Sequence, residues 1–179
     1  MKTIIILLLL FGMSTVHAQK VIQLDAANLE YSPEKLVAGS EGSELYLLVK
    51  ENYRNEFISN PIRFMENNFD LSMVDIGDFE EVEVKFLSTK GYLKATFNND
   101  GKLLRTYQHF EDIVLPVAVR TQLFSENLGW TMVSNKYIAK GKENRINKEL
   151  YKIKMENGKQ SKRVKIEPVI EAGGRVAGN

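Results

Sequence analysis

The sequence predicts an α+β fold, in which helices pack on one face of an antiparallel β-sheet. Three observations predict it. Apolar and polar residues alternate over several short segments, the pattern of strands buried on one face only. Two such pairs of segments are joined at Asp100–Gly101 and Asn157–Gly158, dipeptides that favour tight hairpins because they accept positive φ. Finally, segments that begin at Pro61 and Pro116 carry apolar residues at helical spacing.

Residues 1–18 are expected to form a secretory signal peptide. Lys2 supplies the positive start, residues 4–11 form an apolar run too short to span a bilayer, and Val16, His17 and Ala18 fit the cleavage pattern. The alternative is a buried N-terminal helix. With cleavage near Ala18–Gln19, the mature chain would be exported to the periplasm or the medium and would hold no transmembrane segment.

Residues 19–55 are expected to form an N-terminal strand segment. The stretches 20–24 and 43–51 are typical of strands, whereas residues 25–42 between them are rich in turn formers and are expected to be irregular. These strands would lengthen the sheet or cover one of its edges.

Residues 56–110 are expected to form a first α+β unit. Asn60 and Pro61 cap and open a helix that carries Ile62, Met65 and Phe69 on one side. Alternating strands follow at 81–86 and 93–97, and the hairpin at Asp100–Gly101 leads into a return strand over 102–110.

Residues 111–168 repeat this order. Val119 and Leu123 mark the buried side of a helix that ends near Gly129. A strand from Trp130, an alternating strand around Tyr151 and a return strand after Asn157–Gly158 follow. Because 40 positions separate Pro61 from Gly101 and 42 separate Pro116 from Gly158, a tandem repeat is expected. The alternative is two unrelated hairpins that share turn chemistry. Residues 169–179 lack periodicity and are expected to be disordered.

The charges are unevenly distributed along the chain. Residues 19–89 hold 14 Asp and Glu against 6 Lys and Arg, whereas residues 90–179 hold 9 against 17. The basic residues concentrate between Lys136 and Lys165. Attraction between the halves and solvated strand faces are the favoured interpretation. The alternative is an anionic partner, such as an envelope polysaccharide, lipid headgroups or an acidic protein.

Several kinds of chemistry are excluded by composition. The chain has no Cys, which excludes thiol catalysis, disulfides, iron–sulfur clusters and Cys-ligated zinc. After residue 18 only His109 remains, which excludes paired-His catalysis and His-based metal cages, and we expect it to be a half-buried strand residue rather than a general base. Phosphate-loop and Gly-x-Ser-x-Gly motifs are missing. We therefore predict no catalytic residue, no metal and no cofactor.

The stretch from about Glu80 to Pro168 carries a recognisable pattern. It consists of Asp100-Gly101-Lys102, Phe110, Leu115-Pro116, Val119-Arg120, Gly129-Trp130 and Asn157-Gly158-Lys159. With this pattern the chain resembles the PepSY-like, β-lactamase-inhibitor-protein-like group of small exported bacterial proteins. The resemblance implies a repeated helix-on-sheet unit outside the cytoplasm, and a role in binding or inhibiting proteins, peptidases among them. The N-terminal part departs from the pattern.

Some look-alikes carry the name nicotinate-nucleotide adenylyltransferase. An enzyme of that kind needs a His-x-Gly-His-like phosphate site on a parallel sheet, and the sequence contains no such motif. An enzymatic role is therefore the least supported of the alternatives.

The sequence thus predicts an exported, non-enzymatic protein that binds a protein or peptide in the cell envelope, as an inhibitor or modulator. Its candidate binding residues are Arg120, Trp130, Tyr137 and Lys152. Trp130, Tyr137 and Lys152 would form an aromatic and basic surface together with Tyr151, and Arg120 would pair with an acidic partner. The alternative for these aromatics is a place in the core. For Arg120 the favoured interpretation is a structural one, a side chain lying along Trp130 or the sheet. A second possible function is binding of an anionic polymer by the basic C-terminal strands. Nucleic acid is not an expected partner, and the oligomeric state is left open.

Overall fold

The computed structural model describes residues 35–41, 44–73, 80–170 and 175–176. Three α-helices lie in this part of the chain: α1 (Arg54–Ser59), α2 (Pro61–Asn68) and α3 (Val117–Glu126). Short 3₁₀ turns cover Glu51–Tyr53 and Leu71–Met73. The strands are β1 (Leu36–Glu41), β2 (Glu44–Val49), β3 (Glu81–Ser88), β4 (Gly91–Asn98), β5 (Leu103–Glu111), β6 (Thr131–Lys142), β7 (Arg145–Asn157), β8 (Gln160–Ile166) and β9 (Arg175–Val176).

These strands form one mixed sheet, in which β1 to β8 lie side by side in chain order. Neighbouring strands are antiparallel with one exception, since β2 and β3 run parallel. A parallel pair needs a long crossover, and α1 and α2 supply it between these two strands. The predicted α+β class with a largely antiparallel sheet is confirmed, and the parallel pair corrects the expectation of an entirely antiparallel one.

The N-terminal part differs from the prediction at one strand. β2 lies where a strand was expected, but β1 occupies residues that the turn-rich composition indicated to be irregular. It pairs with β2 from Leu36 opposite Val49 to Glu41 opposite Glu44. Backbone pairing along this whole length overrides the weak strand preference of Gly39. The predicted strand at 20–24 and the predicted signal peptide lie outside the described residues.

The end of the chain also contains regular pairing. In the tail that was expected to be disordered, Arg175 and Val176 pair with Ile146 and Arg145 of β7. The two residues lie on the same side of β7 as β8 does, beyond the point where β8 ends.

A single apolar cluster lies between the helices and one face of the sheet, which we call the inner face. The predicted burial is confirmed, because Phe97, Tyr151 and Ile153 on the strands and Val119 on α3 are all buried in this cluster. The other face carries the residues between them, and we call it the open face. None of the described helices is long and apolar enough to cross a membrane.

Aromatic rings hold α1 and α2 against the inner face. The ring of Phe57 lies 5.3 Å from that of Phe64 and 5.5 Å from that of Phe110 on β5, both edge to face. Phe69 contacts Phe86 on β3 in the same way, at 5.3 Å. Such pairs add about 0.5–1.5 kcal/mol each to the effect of burial alone. Asn60 caps α2 as predicted, accepting a hydrogen bond from the Arg63 backbone N–H at 3.2 Å.

Helix α3 makes a thinner contact with the sheet. Val119 and Leu123 are its buried residues, as predicted, and the Asn127 amide donates to the Leu123 carbonyl at 2.6 Å where the helix ends. Val117 and Phe124 point outward, with 68 % and 39 % of their surface exposed. An apolar surface beside α3 is therefore left in contact with water.

Candidate functional site

The four candidate binding residues do not come together in the structure. Tyr137 lies on the inner face with 7 % of its surface exposed, whereas Lys152 is exposed on the open face. Trp130 is half-buried just before β6, and Arg120 is exposed on α3. A continuous aromatic and basic surface of these residues is therefore not formed.

Tyr137 belongs to a buried polar pair. Its ring lies 4.9 Å from that of Tyr151, its neighbour on β7, and its hydroxyl donates to Glu149 Oε2 at 3.1 Å. Glu149 itself is only 6 % exposed. A carboxylate at this depth needs hydrogen bonds, so Tyr137 has a clear structural role in satisfying Glu149.

Trp130 and Arg120 have different surroundings. The Nζ of Lys162 lies 4.2 Å from the Trp130 ring centre, a cation–π contact at the edge of the sheet. Arg120 lines a groove of about 320 Å³ beside α3, together with Phe124 and Val133.

The open face carries a feature that the sequence analysis did not single out. Six residues lie in register on six neighbouring strands, so that they form a line across the sheet, which we call the transverse row. In order from β2 to β7 they are Leu48, Leu87, Tyr92, His109, Ile138 and Leu150. Leu48 is 44 % exposed and the other five are half-buried. The row spans roughly 24 Å, because neighbouring strands lie about 4.8 Å apart.

A sequence signal for this row exists. Each member stands next to a residue buried on the inner face, as Leu87 does beside Phe86, Ile138 beside Tyr137 and Leu150 beside Tyr151. Alternation would place a polar residue at these positions. Sequence reasoning missed the row because only the register of the sheet brings the six interruptions into one line.

Basic residues flank the transverse row on both sides. The first lysine row contains Lys85, Lys94, Tyr107, Lys140 and Lys148, and the second contains Glu111, Lys136, Lys152 and Lys165. Lys94 pairs with Glu83 at 2.7 Å and Lys136 with Glu111 at 2.6 Å. In the described part of the chain, Lys140, Lys148, Lys152 and Lys165 have no ion pair. The open face is therefore more positive over β6–β8 than over β3–β5.

The aromatic residues of the row lie among charges. His109 is half-buried as predicted, with its ring 5.6 Å from that of Tyr92 and its Nε2 3.7 Å from Glu111 Oε1. Burial, followed by the proximity of Tyr107, raises the pKa of Tyr92. The hydrogen bond from Lys136 and its charge lower the pKa of the Glu111 carboxyl. At neutral pH the row therefore carries an uncharged phenol, and an ionised carboxylate borders it.

A cleft of about 570 Å³ opens on the other side of the sheet, between α1 and the linker over residues 112–116 that leads into α3. We call it the inter-helical cleft. Its lining includes Gln108, Tyr137 and Tyr151 from the sheet and Arg54 and Lys90. No cluster of metal-ligating side chains is found among the residues described.

No family model matches the chain, and no curated protein and no solved structure shows significant similarity to it.

Proposed function

We propose that this protein is a non-enzymatic binding module that holds a segment of another protein, or a peptide, on the open face of its sheet. The observation that carries the proposal is the transverse row. It places six apolar or aromatic side chains in one line on a face that otherwise carries charged residues. Contiguous apolar surface that water can reach, bordered by polar residues, is typical of protein interaction sites.

The dimensions of the row define the partner segment. A line of roughly 24 Å matches an α-helix of about 16 residues or an extended strand of about seven. An apolar stripe on such a segment would cover Leu48, Ile138 and Leu150. Because both lysine rows border the line, acidic residues on either side of the stripe would complement it.

Selection from a displayed peptide library tests this proposal directly. We expect the protein to enrich peptides that combine an apolar stripe with Asp or Glu. Replacing Leu150 by Ser should weaken binding of the enriched peptides at least tenfold, since one buried aliphatic contact is lost from the interface. The matched control is Leu128→Ser, at a residue 83 % exposed outside the row. Its binding should equal that of the wild type.

Two results would contradict the proposal. One is a selection that enriches no peptide above background. The other is a set of peptides that bind the Leu150→Ser variant and the wild type equally, which would place their contact elsewhere on the molecule.

A second candidate function, the binding of an anionic polymer, is favoured by the four lysines without ion pairs in the described residues, namely Lys140, Lys148, Lys152 and Lys165. Retention on a sulfated polysaccharide column, eluted with salt, measures it. The double change Lys148→Gln with Lys165→Gln should lower the eluting salt concentration. The control, Lys50→Gln with Lys159→Gln, removes the same charge from exposed positions outside the two lysine rows and should lower it less.

The two candidates separate in the same assays. Binding of a polymer through lysines alone should be unchanged by Leu150→Ser, whereas binding of a peptide that covers the transverse row should be weakened. If none of the lysine changes alters retention on the column, the anionic-polymer hypothesis is contradicted.

We also propose that residues 56–110 and 111–168 are tandem copies of one PepSY-like unit. Their support is a shared order of elements, a helix followed by three strands with Gly101 and Gly158 in the last hairpin. The connections into the strands of the two units differ, because β3 lies parallel to the preceding strand β2 and β6 lies antiparallel to β5. An alignment of related sequences that superimposes the two halves would support common origin.

Export is a further part of the proposed function, and the sequence of residues 1–18 supports it. N-terminal sequencing of the protein recovered from cells tests it. A chain that begins at Gln19 is the expected result, and a chain that retains Met1 would contradict it.

A further inference from the structure

The outer edge of β8 lies outside the transverse row and is unpaired in the described part of the chain. β8 is the last strand of the sheet, and it pairs with β7 along one side only. The exposed backbone groups of such an edge can bind a further strand, which proteins usually prevent with bulges, prolines or charges. All seven residues of β8 are described, and they contain no bulge and no proline. Its charges therefore decide what can pair there.

The register with β7 shows which backbone groups of β8 are available. The loop between the two strands has two residues, so the pair that flanks it, Asn157 and Gln160, is hydrogen-bonded. Along an antiparallel ladder, hydrogen-bonded pairs alternate with pairs that are not hydrogen-bonded. The backbone N–H and C=O groups of Ser161, Arg163 and Lys165 therefore point away from β7, towards the open edge.

Two of these residues carry positive charges that the described part of the fold does not neutralise. Arg163 lies directly opposite Lys154 on β7, and Lys165 lies directly opposite Lys152. Like charges in such positions repel each other. Of these four cations, only Lys154 forms an ion pair with a described residue, Glu156, at 2.6 Å. An anionic strand beside β8 would neutralise the repelled cations.

The inner-face side of the same edge is mainly apolar. Ile166 is buried in the apolar cluster, and Val164 is half-buried against it. The residues of a strand added beside β8 would alternate between the two faces as those of β8 do. Those beside Arg163 and Lys165 would lie on the open face, and the residue between them would lie beside Val164. Acidic and apolar residues in alternation would match both sides.

We propose that the outer edge of β8 binds an extended segment of another protein in which acidic residues alternate with apolar ones. Backbone hydrogen bonds to Arg163 and Lys165 hold this segment as a further strand. Its carboxylates lie beside these two side chains, and an apolar residue between them contacts Val164. A second copy of β8 does not fit here, because its own basic residues would be repelled. The edge is separate from the transverse row, so the inference does not rest on the proposed function.

Amide hydrogen exchange followed by nuclear magnetic resonance tests the proposal. The probe is a heptapeptide with blocked ends in which Glu alternates with Val. Its control has the same composition, with every Glu placed before every Val. We expect the alternating peptide to slow exchange of the Ser161, Arg163 and Lys165 amides by roughly tenfold or more, because an added strand supplies acceptors for them. The control peptide should give no such protection.

Two changes at one position separate backbone pairing from charge. Arg163→Gln removes the charge and should weaken binding about threefold. Arg163→Pro also removes the outward N–H, and it should weaken binding much further. An edge strand accepts proline where its N–H faces solvent, so the folded protein loses no internal hydrogen bond. Melting temperatures of both variants check that they are folded.

A pair of double changes tests the role of charge and keeps the test decisive if Arg163→Pro does not fold. Arg163→Gln with Lys165→Gln should weaken binding about tenfold, since both cations beside the added strand are lost. The matched control, Lys140→Gln with Lys148→Gln, removes the same charge from the first lysine row and should weaken binding less. Leu150→Ser should leave binding at the edge unchanged, so that failure of this site and failure of the proposed function are distinguished.

Several results would overturn the proposal. These are an alternating peptide that fails to protect the three amides, two peptides that bind equally, an Arg163→Pro variant that binds as tightly as Arg163→Gln, or double changes with equal effects. Binding of a sulfated polysaccharide at these residues, with no binding of the peptide, would assign the edge to an anionic polymer instead.

Discussion

The first helix-and-strand unit, residues 56–110, and the second, residues 111–168, share an order of elements but bury their helices to different extents. In α2, four of eight residues are buried, among them Ile62 and Phe64. In α3, two of ten are buried, Val119 and Leu123. The same order of elements therefore supports a thick aromatic core in one unit and a thin aliphatic contact in the other.

The open faces of the two units differ as well. On β3–β5 the carboxylates of Glu81 and Glu83 pair with Arg105 and Lys94, so the charges are matched. On β6–β8 the lysines outnumber the carboxylates, and several have no ion pair among the described residues. The open faces therefore differ in charge balance, whereas both units contribute residues to the transverse row.

The largest expected effect comes from matched changes in the two helices. Phe64→Ala in α2 should lower the free energy of unfolding by about 3–5 kcal/mol, because it removes a ring that is 2 % exposed and contacts Phe57. Phe124→Ala in α3 should cost about 1 kcal/mol or less, since that ring is 39 % exposed. Urea denaturation measures both. Equal losses would mean that the two helices are packed alike.

A smaller effect is expected for the polar pair in the core of the second unit. Tyr137→Phe removes the hydrogen bond to the buried Glu149 carboxylate and should cost about 1.5–3 kcal/mol. Tyr107→Phe, on the open face, is the matched control and should change stability by less than about 0.5 kcal/mol. A Tyr137→Phe variant as stable as the control would show that Glu149 does not depend on this bond.

The hairpin glycines test whether the two units are equivalent at their turns. Gly101 has φ of +78° and Gly158 has φ of +57°, and a Cβ at either would meet nothing within 4 Å. Each change to Ala should therefore cost about 1–2 kcal/mol from backbone strain alone, and the two losses should be similar. Thermal unfolding of both variants checks this. A large difference would mean that the two turns are not equivalent in the fold.

The smallest effect concerns the boundary between the units, where Lys136 of β6 donates to Glu111 of β5. Because this hydrogen bond lowers the pKa of Glu111, the pair stabilises the fold above the ordinary carboxyl pKa, and the contribution is lost as the pH falls through the lowered value. A pH titration followed by the nuclear magnetic resonance signal of the Glu111 carboxyl carbon should show the lowered pKa. The change Lys136→Gln should raise this pKa. Lys165→Gln, further along the same row, should leave it nearly unchanged.

Much of the fold follows from local patterns. Alternation and turn residues together located β3 to β8, and the buried residues Phe97, Val119, Tyr151 and Ile153 are those that the patterns indicated. The cap at Asn60 was equally predictable, because it depends on residues close in sequence. The tandem repeat, the export signal and the family resemblance stay predictions.

Other features depend on distant contacts. The prediction missed β1 because its residues favour a strand only when β2 pairs with them. It also grouped Tyr137 with Lys152, although the two lie on opposite faces of the sheet. The residue type alone did not show that Tyr137 is buried and donates a hydrogen bond to Glu149, rather than lying on an exposed surface.

Local sequence was enough to specify the class of fold, the places of most strands and helices, and the residues of the core, because hydrophobic period, turn chemistry and caps act over a few neighbouring positions. Which distant residues share a surface was decided only by the tertiary structure. The transverse row exists because strand register aligns residues up to about a hundred positions apart, from Leu48 to Leu150.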